Sequence, residues 1–168
     1  MDPDDRNFWF KLKHMILPTN DALCKTGMDI DKVCPLCNSE PESHSHLFIY
    51  CSHTWVAWNL VEHLLKIYTG NKYFHLSDPM RILGQNLKLV ESIIVVKMLR
   101  QIWNIRCLLV FQNYASPVDV DITTQFKRCL KTFLLSEQKR MDGKKIEACY
   151  TWNKALCFVE NNTLKFAF

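Results

Sequence analysis

The sequence predicts a mainly α protein, in which a small loop-and-hairpin module near the N-terminus is followed by a helical bundle. Three observations carry this. Apolar residues recur at helical spacing over three long segments, 54–68, 87–112 and 118–140. Only four glycines occur in 168 residues, too few for a turn-dense all-β chain. Three cysteines and two histidines crowd into positions 34 to 51, while the other cysteines lie beyond residue 100 or alone at Cys24. A chain of this length buries roughly 70% of the surface its unfolded form exposes, so it builds a core without disulfide staples.

The elements follow in order. Residues 7–16 are apolar and basic and read as a helix. Leu17-Pro18-Thr19-Asn20-Asp21 is a stop and restart, with Thr19 as N-cap and Asp21 in the first turn. A short helix from Asn20 to about Thr26 closes at Gly27. Residues 46–51 read as a short strand leading into the next helix, Thr54–Tyr68, whose apolar face is Trp55, Trp58, Leu60, Val61, Leu64, Leu65 and Tyr68. Residues 71–86 read as irregular, with Asp78-Pro79 as a turn signal. Leu87–Gln112 is the longest helix and turns Ile93, Val96, Leu99, Ile102, Trp103 and Leu109 or Val110 to a core. Its β-branched run Ile93–Val96 mimics a strand, but the helical period continues on both sides. Val118–Arg140 is a further helix with Ile122, Phe126, Leu130, Phe133 and Leu134 on one face. Ile146 to about Phe158 reads as a last helix or as a strand; in the second case 149–159 pairs with 163–168 in a short C-terminal hairpin.

The cluster has the pattern C-x2-C-x8-H-x4-C: Cys34, Cys37, His46, Cys51. A CxxC turn places two thiolates on one side of an ion, and the polar stretch 38–43 lets the chain fold back with the second pair. Four nitrogen and sulfur ligands at this spacing point to one zinc ion. A redox CxxC is disfavoured because no βαβ context surrounds it. Four protein ligands leave no open coordination position, so the zinc is structural. Of the nearby histidines, His46 gives the x4 spacing and precedes the anchoring pair Leu47-Phe48; His44 is the alternative ligand, and His53, at the start of the next helix, reads as a surface residue or as one that supports the ligands from behind. Residues 1–60 are thus the zinc-binding module and 61–168 the helical region packed on it.

At these residues the sequence resembles a known family, the zinc-binding domain found downstream of the polymerase in non-LTR (LINE-type) reverse transcriptases. The likeness rests on Phe8-Trp9, the helix-like stretch Phe10 to Met15, Leu17-Pro18-Thr19-Asn20, Leu23, Gly27, Cys34-Pro35-Leu36-Cys37, Glu40, His46-Leu47-Phe48, Cys51 and Trp58. It covers residues 7 to 60, about a third of the chain. The resemblance implies the ligand set Cys34, Cys37, His46 and Cys51, the set that spacing also picks. It implies a position where template RNA and target DNA meet an enzyme, and so RNA or DNA and a retroelement polymerase as partners. Family members are tails of larger polyproteins. Here no YxDD-type dyad is present, since Asp119-Val120-Asp121 stands at a proline-led helix start, so polymerase activity does not carry over. The chain reads as a free-standing piece of a retroelement or a host gene derived from one.

Charge adds a second candidate site. The net charge is +4, but its distribution is uneven: residues 1–60 hold five Lys/Arg against eight Asp/Glu, and residues 88–145 eleven against five. Lys127, Arg128, Lys131, Lys139, Arg140, Lys144 and Lys145 form a basic segment that flanks the apolar stripe of its helix. Such a face draws phosphates by counterion release without reading sequence. The zinc region, with Asp29, Asp31, Glu40 and Glu42, is expected to repel them. Trp55 and Trp58 are either core residues or a stacking surface for bases.

Other classes are excluded on motif grounds. No GxGxxG and no GxxxxGK[ST] occurs. No Ser/His/Asp or paired-carboxylate constellation stands out, and His14, His63 and His75 read as ordinary surface or core residues, so the protein is expected to be no enzyme and to take no small-molecule substrate. The apolar runs are interrupted by Lys97, Arg100 and Arg106 well short of the roughly 20 residues a bilayer span needs. The acidic start, Met1-Asp2-Pro3-Asp4-Asp5, is unlike a signal peptide, and cysteines without a secretion signal suit a reducing compartment, nuclear or cytoplasmic. Cys24, Cys107, Cys129, Cys149 and Cys157 read as structural thiols. The alternative function is a zinc-stabilised protein-interaction domain without nucleic-acid affinity.

Overall fold

The computed structural model describes residues 2–72, 75–76, 79–83, 89–112, 118–140, 157–160, 163–166 and 168. It is mainly α. The order is α1 (Pro3–Lys13), α2 (Asn20–Lys25), a π-helical turn (His46–Tyr50), α3 (Ser52–Thr69), α4 (Pro79–Ile82), α5 (Leu89–Gln112), α6 (Val118–Arg140), then β1 (Cys157–Glu160) and β2 (Thr163–Phe166).

Helix α1 starts four residues before the apolar pattern does. The Asp2 side chain caps it by accepting from Asp5 N–H at 2.8 Å, and Pro3 occupies the first turn, where its missing N–H costs nothing. Asp5, Phe8 and Leu12 form its buried face, at spacings of three and four. Helix α2 is capped by Thr19, as expected, and Gly27 follows with φ +91°, a left-handed conformation that glycine adopts without strain. Gly70 closes α3 in the same way, at φ +67°.

Helix α5 lies at the centre of the bundle. Val90, Ile93, Ile94, Val95, Val96, Met98, Leu99, Ile102 and Ile105 are all buried, which takes in more than one face of the helix. It packs against α1, α3, α6 and the π turn. This burial is why the run Ile93–Val96 is helical despite its strand-like composition: packing on several sides outweighs a small intrinsic preference. Helix α6 has the bounds read from the sequence and buries Ile122, Phe126, Leu130 and Leu134. One apolar cluster runs from Phe8 in α1 to Leu134 in α6, with Phe166 and Phe168 packed at its margin.

Three readings of the sequence are corrected, and one left open is decided. Residues 46–50 are a π-helical turn and not a strand. The stretch 71–86 contains the short helix α4. Trp55 is 64% exposed, off the packed face of α3, whereas Trp58 is buried. Val110 is exposed and Leu109 packs on the core, which decides between the two. At the C-terminus residues 157–160 take the strand alternative: β1 and β2 pair antiparallel in the register Cys157↔Phe166 to Glu160↔Thr163. The stretch expected to lead into it, 146–156, lies outside the described residues. Among the described residues, no helix is long and apolar enough to cross a membrane.

Candidate metal centre

The first half of the centre is a tight chain reversal. Val33 bridges Pro41 antiparallel, Glu42 N–H donates to Lys32 O at 2.7 Å and Cys34 N–H to Glu40 O at 2.7 Å. Within this clasp Asn38 N–H returns to Cys34 O at 2.8 Å. Asn38 has φ +53°, a left-handed conformation that asparagine tolerates better than most residues. The Cys34–Cys37 turn is thereby fixed with both sulfurs on one side.

The second half is the π turn. His46 and Cys51 are five residues apart. At 3.6 residues per turn an α-helix would set them about 140° apart around its axis. The chain instead closes an i→i+5 bond, Cys51 N–H to His46 O at 2.8 Å, which stacks the two ligands one turn apart. Ser43 Oγ accepts from His46 N–H at 3.0 Å. Helix α3 then springs directly from Cys51, whose carbonyl accepts from Thr54 N–H and Thr54 Oγ1. Leu47 and Phe48 are fully buried. Phe48 stacks against Trp103 of α5 with centroids 6.3 Å apart and meets Phe8 of α1 edge-on, and its carbonyl accepts from Trp58 Nε1–H at 2.7 Å.

The ligand atoms of Cys34, Cys37, His46 and Cys51 all lie within 4.8 Å of one another, and Cys37 Sγ stands 3.4 Å from His46 Nε2. Tetrahedral zinc, with Zn–S of about 2.3 Å and Zn–N of about 2.0 Å, separates its ligand atoms by about 3.5–3.8 Å. The donor set and the spacing therefore fit zinc. Cys34 and Cys51 are buried, and Cys37 and His46 half-buried. The hydrogen bond to Cys51, reinforced by burial, pushes the Cys34 thiol well above its ordinary value, and that same hydrogen bond lowers Cys51. Zinc takes up thiolates, so binding in this cluster releases protons and weakens as pH falls.

His44 is not part of the group. It sits half-buried beside Leu17, hydrogen-bonded to its backbone; burial lowers its pKa, and its Nε2 has no hydrogen-bond partner among the described residues. His53 contributes its backbone N–H to Cys51.

The charged residues read from sequence only as interruptions of apolar runs are ion-pair partners. Arg106 of α5 donates Nε–H to Glu42 Oε1 at 2.7 Å and Nη2–H to Glu42 Oε2 at 2.9 Å. Lys97 reaches Asp5 at 2.9 Å and Arg100 reaches it at 2.9 Å, tying α1 to α5. All but Arg100 are buried. The expected acidic repulsion around the metal centre is accordingly smaller: Asp29, Asp31 and Glu40 are exposed, but Glu42 is buried and paired with Arg106.

The basic segment divides. Lys127, Arg128, Lys131 and Lys139 are exposed on α6, while Phe126, Leu130 and Leu134 face the core. Arg128 approaches Gln125 at 3.4 Å, and Lys131 Nζ lies 5.1 Å from the centre of the Phe166 ring. Arg140 ends the helix. Lys144 and Lys145 lie outside the described residues.

Fold and site together define a helical protein with a Cys3His centre for one structural zinc. Residues 4–58 match the family model described as zinc-binding in reverse transcriptase, about a third of the chain and the stretch that carries the sequence resemblance. Neither the comparison with curated proteins nor that with solved structures gives a match. With four protein ligands the zinc has no open position and is not itself catalytic.

Proposed function

We propose that the protein is a non-catalytic nucleic-acid-binding domain, derived from a retroelement reverse transcriptase and braced by its zinc, with RNA or DNA as its partner. The observation that carries this is the exposed basic side of α6. Lys127, Arg128 and Lys131 stand in solvent on a helix whose opposite side is fixed in the core, so their charges are held on a rigid surface. A rigid array of cations gathers phosphates with little ordering cost and without base readout. The zinc module supports this reading through its family match, which ties residues 4–58 to reverse transcriptases. A retroelement polymerase fits the same reading as a protein partner. Electrophoretic shifts with single-stranded RNA and duplex DNA across a salt series test it. A steep loss of affinity with salt is the expected result, and no shift at low salt would count against it.

A protein-interaction role is the second reading, and one observation favours it. Tyr50, 70% exposed, and Trp55, 64% exposed, flank an apolar cleft of about 390 Å³ that also includes Ile49, Trp58, Leu76 and Pro79. Exposed aromatic residues of this kind are common at protein interfaces.

A further inference from the structure

The centre is built from residues 34 to 51, yet the clasp that carries Cys34 and Cys37 is gripped from elsewhere. Glu42 closes the clasp with its backbone and presents its carboxylate inward. Arg106, some 64 residues later in the chain, takes both carboxylate oxygens. Asn20 completes the grip: its backbone N–H donates to Glu42 Oε2, its Oδ1 accepts from Arg106 Nη2–H at 2.9 Å, and its Nδ2–H donates to Val33 O at 3.0 Å. Val33 directly precedes Cys34. Asp21 N–H adds a bond to Glu42 O at 3.2 Å. Both strands of the clasp are therefore held, one through Val33 and one through Glu42. Arg106 is held in turn: its guanidinium lies 5.0 Å from the centre of the Trp103 ring, which stacks on Phe48, two residues from the ligand His46.

We propose that Arg106 is a positioning residue for the zinc, acting through Glu42 with Asn20 as the third member. It lies outside the matched segment 4–58. The physical reason is preorganisation. Zinc binding must bring four side chains to tetrahedral corners, and a clasp free to open would have to be ordered each time. Charge-assisted, bidentate bonds in a water-excluded site keep it closed. Removing the guanidinium leaves a carboxylate buried and unpaired at the base of the clasp, and relief of that strain pulls Glu42 outward and loosens the Cys34–Cys37 turn. Outer residues that orient metal ligands typically change metal affinity by about 10- to 100-fold when altered. The inference rests on zinc occupying the cluster and is independent of nucleic-acid binding.

The test is transfer of zinc from the full chain to a chromophoric chelator, with Co²⁺ substitution as a second readout. Arg106→Met is compared with the parent and with Lys97→Met, which breaks an equally buried pair that does not touch the clasp. Arg106→Met should release zinc about 10-fold faster or more and alter the Co²⁺ d–d absorption, while Lys97→Met keeps the parent's rate and spectrum. Unchanged release from Arg106→Met overturns the proposal. So does equal acceleration in both variants, which would reduce the effect to lost helix packing. Should Arg106→Met fail to fold, Asn20→Ala decides by the same measurements: faster release supports the grip and parental release overturns it. A parent chain that holds no zinc overturns the metal assignment itself and this inference with it, a result distinct from any ranking of variants.

Discussion

Glu42 and Arg106 share two hydrogen bonds, of 2.7 and 2.9 Å, across 64 residues of chain, and both side chains are withdrawn from water. A pair so placed is costly to break from one side, because the surviving charge stays buried without its partner.

Glu42→Ala is therefore expected to lower the unfolding free energy by about 3–5 kcal/mol, the usual range for orphaning a buried ion-pair partner. Lys25→Ala, which removes the exposed i,i+4 pair with Asp21, should leave the denaturation midpoint where it was. Urea unfolding of the two variants at one pH provides the comparison. Equal midpoints would mean that the Glu42 site is open to water.

Metal content is the second expectation. Freshly reduced protein should carry one zinc per chain by elemental analysis, and Cys37→Ser should lose it. His46→Ala should release zinc readily, while His44→Ala should retain it, because His44 stands apart from the four clustered ligand atoms. Equal loss from both histidine variants would show that the ligand set is drawn wrongly.

The two tryptophans of α3 should behave oppositely. Trp58→Ala empties a buried site and removes the Nε1–H bond to Phe48 O, so a loss of about 3–5 kcal/mol is expected. Trp55→Ala should be close to neutral, since that ring lies mostly in solvent. Thermal melts distinguish them, and a large loss at Trp55 would place that ring in a packed environment.

Replacing Lys127, Arg128 and Lys131 with Gln should weaken RNA and DNA binding alike. The log–log salt slope should fall by about 0.7–0.9 for each phosphate that is no longer neutralised. Folding should be retained because the three side chains are exposed. Parental affinity with a parental slope would remove the basic side of α6 from consideration and leave the aromatic cleft around Tyr50 and Trp55 as the better surface.

The zinc ligands are legible in the sequence because the centre is local: all four lie within one short stretch, and their chemistry is specific. Helix α6 is legible to its ends because proline precedes it and its buried residues recur at intervals of four. The π turn is not, since the short apolar run between the two ligands reads as a strand, although a strand would put residues five apart on opposite faces. Trp55 misleads because an apolar side chain at near-helical spacing carries no mark of which side of the stripe it falls on. The ion pairs are least legible. Asp5 with Lys97, and Glu42 with Arg106, join positions 92 and 64 residues apart, and no local pattern announces such a match. Lys97, Arg100 and Arg106 look like breaks in an apolar run because their partners belong to another part of the chain.

The widened turn at His46–Tyr50 serves two masters, and they disagree about its length. A deletion of one residue there would still let the metal be reached, because ligands four apart on an ordinary α-turn also share a face. The hydrophobic interior would not forgive it: Leu47, Phe48 and the carbonyl that receives Trp58 would be swung out of register with α1, α3 and α5. Insertions and deletions in this stretch should thus be resisted on account of the aromatic packing behind the ligands, while the fold itself tolerates substitutions at the exposed Tyr50.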